Sequence, residues 1–298
     1  MSTAFPIQYI EPVFRPPSEG RSLILPVTNG CSWNQCTFCE MYTQPQKKFR
    51  VRKDDEIKAD IARAAQRLGN VRRVFLADGD AMILPTRRLV NILEWLHEAF
   101  PGLERVSSYC LPRNLRRKSV EDLRQLQQKG LGMLYVGVES GDDTVLEKVH
   151  KGETSASTAD ALHKIHGAGI TSSVMILNGL GGQRYSEQHA IESARVVSET
   201  QPRFVSTLVV SFPQGEERFR AEFPEFEPLD QMGLFREIRR FLEHVELEDS
   251  VFRSDHASNY LVLRGELNRD RDRLLREVDL AIQQPGVMPL REEWQRGL

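Results

Sequence analysis

The stretch Gly132–Leu177, "GMLYVGVESGDDTVLEKVHKGETSASTADALHKIHGAGITSSVMIL", reads as strand, helix, strand. Its opening, "GMLYVGVE", is an apolar run fit for a buried strand, and "ITSSVMIL" at its close is another. Between them "TSASTADALHKIHGAG" has the apolar spacing of a helix. Two strands joined through a helix lie parallel in one sheet, because a parallel pair needs a long crossover.

The same rhythm extends in both directions. Upstream, "RSLILPV" (21–27), "VRRVFLA" (71–77) and "ERVSSYC" (104–110) read as strands. They alternate with helical patterns at 54–69, at 86–100 before Pro101-Gly102, and at 119–130, where Ser119 and Asp122 form a capping box. Downstream come a helix at 186–200 and the strand "RFVSTLVVSF" (203–212). Such alternation predicts an α/β fold with a parallel sheet, doubly wound or curled into a barrel. In either case the chemistry sits at the carboxyl ends of the strands. The polar or Gly-rich segments fall there: "TNGCSWNQC", "DGDAM", "ESGDD", "NGLGGQ" and "FPQGEE".

A Pro-rich arm (1–20) precedes the alternation, which occupies 21–220. A C-terminal extension (221–298) follows, with helical patterns at 229–246 and 269–284 and an extended-looking "SVFRSDHASNYLVLRG" between them. At 40% hydrophobic and 28% charged residues, the composition is that of a globular protein. No apolar run approaches the roughly 18 residues that span a bilayer, and the N-terminus lacks the pattern of a signal peptide, so a cytoplasmic protein without a membrane partner is expected. The net charge of −2 gives no overall push towards nucleic acid, and "RNLRRK" (113–118) reads as solvated surface.

Three of the four cysteines, Cys31, Cys36 and Cys39, stand in the spacing C-x4-C-x2-C after the first strand. Clustered thiols in a reducing compartment read as metal or redox ligands. Structural zinc asks for four closed ligands, and the nearest histidine in sequence is His97. A four-iron cluster held by three thiolates would keep one iron open for a ligand. Spacing alone leaves iron–sulfur, zinc and no metal as alternatives. Cys110, alone, reads as a small buried hydrophobe.

With Phe38 just before its last cysteine, the triplet resembles that of the radical S-adenosylmethionine (SAM) superfamily, whose usual spacing has three residues between the first two cysteines. "ADGDAMILP" resembles that family's glycine–acidic motif, matched by Asp78, Gly79 and Asp80, which holds the methionine amino group. "YVGVESGDDTVLEKVHKG" is similar to the branch containing oxygen-independent coproporphyrinogen dehydrogenase and the methylthiotransferases. Glu139 and Ser140 there match cofactor contacts, and Lys151 takes the place of the basic residue that binds the methionine carboxylate. "VMILNGLGGQ" resembles the adenine-lining segment, with Met175, Asn178 and Gly179 at the matching positions.

The resemblance implies a partial (β/α)6 TIM-like barrel carrying an oxygen-sensitive [4Fe-4S] cluster on Cys31, Cys36 and Cys39. It also implies SAM as cofactor and a reductant such as flavodoxin or ferredoxin. Reductive cleavage of SAM would yield a 5′-deoxyadenosyl radical that takes hydrogen from a small molecule or a protein. No second cysteine cluster, cobalamin domain or RNA-binding module is evident in the sequence. In the extension, Asp255 and His256 within "FRSDHASNY" are candidates for proton transfer, and Tyr109 and Cys110 for a hydrogen-atom donor. Two other classes compete: a non-catalytic or electron-transfer iron–sulfur protein on the same fold, and a zinc-stabilised hydrolase-like enzyme. The latter finds no HExxH or GxSxG motif here.

Overall fold

The structure is a computed structural model and describes residues 5–296. Its strands are β1 (Leu23–Pro26), β2 (Thr28–Asn29), β3 (Arg50–Val51), β4 (Arg73–Ala77) and β5 (Arg105–Tyr109). They continue with β6 (Leu131–Glu139), β7 (Thr171–Asn178), β8 (Phe204–Val209), β9 (Ser250–Ser254) and β10 (Leu263–Leu267). All but β2 and β3 form one eight-stranded sheet in the order β1-β4-β5-β6-β7-β8-β9-β10, while β2 and β3 make a small antiparallel pair. The sheet is open, with β1 and β10 as its edges.

Helices α1 (Asp54–Arg67), α2 (Thr86–Ala99), α3 (Val120–Gln128), α4 (Asp143–Lys148), α5 (Ser155–Gly167) and α6 (Gly182–Thr200) connect the parallel strands. After β8 come α7 (Glu217–Glu222), α8 (Gln231–His244) and α9 (Arg271–Gln283). Local chemistry explains the boundaries. In α1 the buried residues Ile57, Ile61 and Ala64 recur at helical spacing. At α3 the capping box forms: Asp122 donates its backbone N–H to Ser119 Oγ at 3.1 Å, and Asp122 Oδ2 accepts the Ser119 N–H at 2.8 Å.

The alternation folds as its pattern predicts, and the extension adds to it. Besides the two expected helices it contributes β9, parallel to β8, and β10, antiparallel to β9. In β9, Ser250, Phe252 and Ser254 are buried and alternate with more exposed residues, the period of a strand.

The chain divides into two compact units. The first takes the chain up to Asn34, with Met41–Val136 and Lys164–Thr171; the second takes Gln35–Glu40, Gly137–His163 and the chain from Ser172 onward. In the first, Ile24, Phe75 and Ala77 form a core against Tyr9, Tyr109 and Tyr135, with the Tyr109 ring edge-on to Phe75 at 5.1 Å. In the second, Phe219, Phe223 and Phe226 pack on Val145, Val149, Leu177 and Leu180.

Candidate active site

In the first unit the loop that carries Cys31 packs against the turn after β4. Gly30 (φ +75°) comes so close to the next segment that a Cβ would lie 2.0 Å from the Lys47 carbonyl oxygen. Gly79 (φ +89°) would place a Cβ 2.5 Å from the Gly30 carbonyl oxygen. Both positions therefore demand glycine, for conformation and for space. The Asn34 N–H donates to Cys31 Sγ at 3.5 Å, and the Asn34 side chain donates to the Tyr42 carbonyl at 3.0 Å. Asn34 takes φ +43°, a left-handed conformation that asparagine adopts more readily than most residues. The chain turns there, within the stretch that is one residue longer than the usual spacing.

The two aspartates after β4 are buried and fully engaged. Asp78 pairs with the buried Lys47 and accepts the Tyr42 hydroxyl at 3.1 Å. Asp80 accepts from Ser32 and from the Asn114 amide. Burial pushes both carboxyls above the ordinary aspartate value, against those same hydrogen bonds, which favour the anion. The Arg113 guanidinium stacks 3.7 Å above the Trp33 ring. Cys110 is buried, and its thiol donates to the Leu111 carbonyl at 3.6 Å.

The second unit carries Cys36 and Cys39, joined by a bond from the Cys39 N–H to the Cys36 carbonyl at 3.2 Å. The Thr37 N–H donates to the Val149 carbonyl at 3.0 Å, and Arg218 donates to the Cys39 carbonyl at 2.9 Å. Phe38 packs against the phenylalanine core, and the Lys151 ammonium lies 5.9 Å from its ring centre. Lys151 donates to Glu139 Oε1 at 3.0 Å with both side chains buried. Burial opposes the lysine charge, but the Glu139 carboxylate above all, and Cys36 and Cys39 in their thiolate form, hold its pKa above the ordinary lysine value. Glu139 Oε2 is buried and has no donor. At Gly137 a Cβ would fall 1.9 Å from Glu139 Oε1, so glycine makes the room in which the pair sits.

Around Gly179 (φ +83°) lies a polar network that sequence reasoning missed. The Gly179 N–H donates to Glu237 Oε1 at 2.5 Å, and Ser186 donates to Oε2 at 2.6 Å. His189 stands with Nε2 3.8 Å from that carboxylate, and its Nδ1 hydrogen-bonds Ser140 Oγ at 2.8 Å. Glu237, His189 and Ser140 are all buried, and burial raises the Glu237 carboxyl against His189, Ser186 and the Gly179 N–H. The network ties Ser140, after β6, to Gly179, after β7. Met175 packs on the phenylalanine core, and the Asn178 carbonyl accepts the Val210 N–H at 3.0 Å. A cavity of about 330 Å³ opens beside Gly179, walled by Val210, Phe212, Phe226 and Leu234.

The polar stretch after β9 is tied locally. Asp255 accepts from Arg264 at 2.6 Å, while His256 Nδ1 accepts the Ser258 N–H at 3.1 Å. Ser258 Oγ accepts the Val209 N–H and Asn259 donates to the Thr207 carbonyl, which fastens the stretch to β8. Burial, and then Arg291, lower the His256 pKa, so the ring is neutral at pH 7.

Among the described residues no three Cys, His, Asp or Glu side chains are gathered around a point that could hold a metal ion. The donor set nonetheless suits the cluster and cofactor that the motifs imply. The three cysteines are half-buried and form no disulfide, and Glu139 Oε2 is a buried acceptor short of a donor.

Thiols, a buried lysine–carboxylate pair and glycine turns thus follow the strands of a largely parallel sheet. Residues 25–194 match the Radical SAM superfamily, and the chain belongs to that superfamily of enzymes. Over 164 residues it is 26% identical to 4'-phospho-dehydrooxetanocin synthase of Priestia megaterium, covering 50% of this chain and 22% of that protein. Over 158 residues it is 26% identical to tRNA-2-methylthio-N(6)-dimethylallyladenosine synthase of Nitrosomonas europaea, covering 50% of this chain and 34% of that protein. The matched stretch thus spans well under half of these relatives. The fold is similar to coproporphyrinogen III oxidase (HemN) from Escherichia coli, with a TM-score of 0.54 and 17% identity over 74% of this chain and 52% of that one. No helix of the described residues is long and apolar enough to cross a membrane.

Proposed function

We propose that Cys31, Cys36 and Cys39 hold a [4Fe-4S] cluster, that S-adenosylmethionine binds beside it, and that the enzyme abstracts hydrogen from a small-molecule or protein substrate. The observation that carries this reading is the Glu139–Lys151 pair: a buried carboxylate with one oxygen lacking a donor, its other oxygen held at 3.0 Å by a buried lysine. When bound, the cluster and cofactor supply one-electron cleavage of a sulfonium C–S bond to methionine and a 5′-deoxyadenosyl radical.

The protein's own part is to bind, orient and exclude water. Lys151 faces the methionine carboxylate, and Glu139 Oε2 accepts a hydrogen bond from a cofactor donor. Gly79, between Asp78 and Asp80, lets the backbone approach the amino group. Phe38, Ser140, Met175, Asn178 and Gly179 line the remainder of the cofactor. His256 Nε2 is the ring nitrogen placed to exchange a proton, since Nδ1 is engaged, with Asp255 adding negative charge nearby. Residues 21–220 form the catalytic frame and 221–298 its extension. The electron comes from a flavodoxin or ferredoxin in a cytoplasm that protects an oxygen-sensitive centre.

Equilibrium dialysis of SAM against anaerobically reconstituted protein tests the pair. Glu139→Gln should weaken binding about tenfold, the worth of one charge-assisted hydrogen bond, with iron content unchanged. Unaltered SAM affinity in that variant would remove Glu139 from the cofactor site.

A further inference from the structure

The chain is nearly balanced in charge, with 40 Lys and Arg against 42 Asp and Glu, yet one cavity is strongly basic. It lies within the first unit at the N-terminal ends of β1, β4 and β5, opposite the carboxyl ends of those strands, and is an open pocket of about 1000 Å³. Arg15, Arg21, Arg72, Arg73 and Arg105 line it, against a single carboxylate, Glu104, which is taken up by Arg72.

The arginines are not all accounted for by the fold. Arg105 donates to the buried Glu19 at 2.8 Å, but Glu19 also accepts from Tyr135 at 2.7 Å and from Ser22. Arg105 Nε is buried and has no hydrogen-bond partner in the described residues. Arg73 is the direct cross-strand partner of Arg105, a placement of like charges that costs stability. Among the described residues neither Arg21 nor Arg73 has an ion-pair partner. One wall is aromatic: Phe5 and Tyr9 stand with ring centres 5.7 Å apart, and Phe5 is half exposed.

Guanidinium groups around a space of this size match phosphate oxygens, and aromatic faces match a base. We propose that this cavity binds a phosphate-bearing ligand of nucleotide chemistry, with Arg21, Arg73 and Arg105 on the phosphates and Phe5 and Tyr9 against the base. The site is independent of the cluster and of SAM, so the full chain can be tested without either.

Calorimetric titration at physiological salt would use cytidine triphosphate, which lacks the adenine of the proposed cofactor, alongside inorganic triphosphate and an oligouridylate. Wild type should bind cytidine triphosphate saturably, and Arg21→Gln/Arg73→Gln should weaken it about tenfold or more with a melting temperature equal to or above that of wild type. Phe5→Ala, at a half-exposed position, should weaken cytidine triphosphate about fivefold and leave inorganic triphosphate unaffected. Oligouridylate binding tighter than the nucleotide, and lost in the same arginine variant, assigns the phosphates to a nucleic-acid strand; weaker binding assigns them to a free nucleotide. No saturable binding of cytidine triphosphate or triphosphate at millimolar concentration overturns the proposal. Undiminished binding in the arginine variant does the same.

Discussion

Asp78 and Asp80 in the first compact unit and Glu139 in the second are buried carboxylates met in opposite ways. In the first, both oxygens of Asp78 and both of Asp80 are met by donors from the protein: Lys47 and Tyr42 for one, Ser32 and Asn114 for the other. In the second, Glu139 is met on one oxygen by Lys151 and on the other by nothing. A carboxylate that is saturated at burial fastens loops together. One left half-saturated at a comparable burial bears an unmet cost of the order of 1–3 kcal/mol, which a ligand's donor would relieve. The contrast separates carboxylates that clamp loops together from one that keeps an oxygen without a donor.

The largest effects should come from breaking the buried ion pairs. Lys47→Met strands Asp78, and Lys151→Met strands Glu139, so each should cost about 3–5 kcal/mol in urea denaturation. The contrast predicts a difference beyond stability. Under conditions where both variants stay folded, the Lys47 variant should still bind SAM after reconstitution and the Lys151 variant should not. Equal losses of SAM binding would erase the distinction between the two pairs.

Gly79→Ala comes next. A side chain at φ +89° with its Cβ 2.5 Å from a backbone oxygen should destabilise the fold by about 3 kcal/mol, visible as a lowered urea midpoint. A midpoint equal to wild type would mean that the turn after β4 opens easily, contrary to its close packing.

The Glu237 carboxyl provides a smaller, pH-dependent test. Because burial raises its pKa in the folded state, the fold holds this proton more tightly than the unfolded chain does. Its contribution to stability is therefore fullest below the unfolded value of about 4 and is lost as pH rises through the raised one. Glu237→Gln removes the titration, so the variant should gain on wild type as pH rises from about 4 towards neutrality. Urea midpoints measured across that range check it, and a constant offset between the two proteins would contradict it. The smallest effect is at the α3 cap, where Ser119→Ala should cost about 1 kcal/mol and leave SAM binding untouched.

Much of this architecture is legible in residue order. Short apolar runs and helical spacings place β1, β4–β8 and their helices, because local pattern and burial agree there. The capping box at Ser119 is local as well and forms as written. Joining β9 and β10 to the sheet depends on pairing across a long separation in sequence, which the extended look of "SVFRSDHASNYLVLRG" suggests but does not specify. The burial of Lys47 is invisible in a polar loop, since its partner Asp78 lies 31 residues away. Glu237 did leave a trace. In α8 it falls on the stripe of buried Leu234, Ile238 and Phe241, and His189 likewise shares a buried stripe with Ala190, Ser193 and Ala194 in α6. A charged or titratable residue on an apolar stripe needs a partner, and that signal would have found the network behind Gly179.

The most direct test of the account is made without oxygen: iron and sulfide counted per chain after reconstitution, followed by assay for 5′-deoxyadenosine from SAM under dithionite. The account predicts about four iron and four sulfide per chain, a three-thiolate cluster, with deoxyadenosine formed and both signals lost in Cys36→Ala. Zinc in place of iron would contradict the central claim, and a cluster that leaves SAM intact, with candidate substrates present, would make this an electron-transfer protein on the same fold.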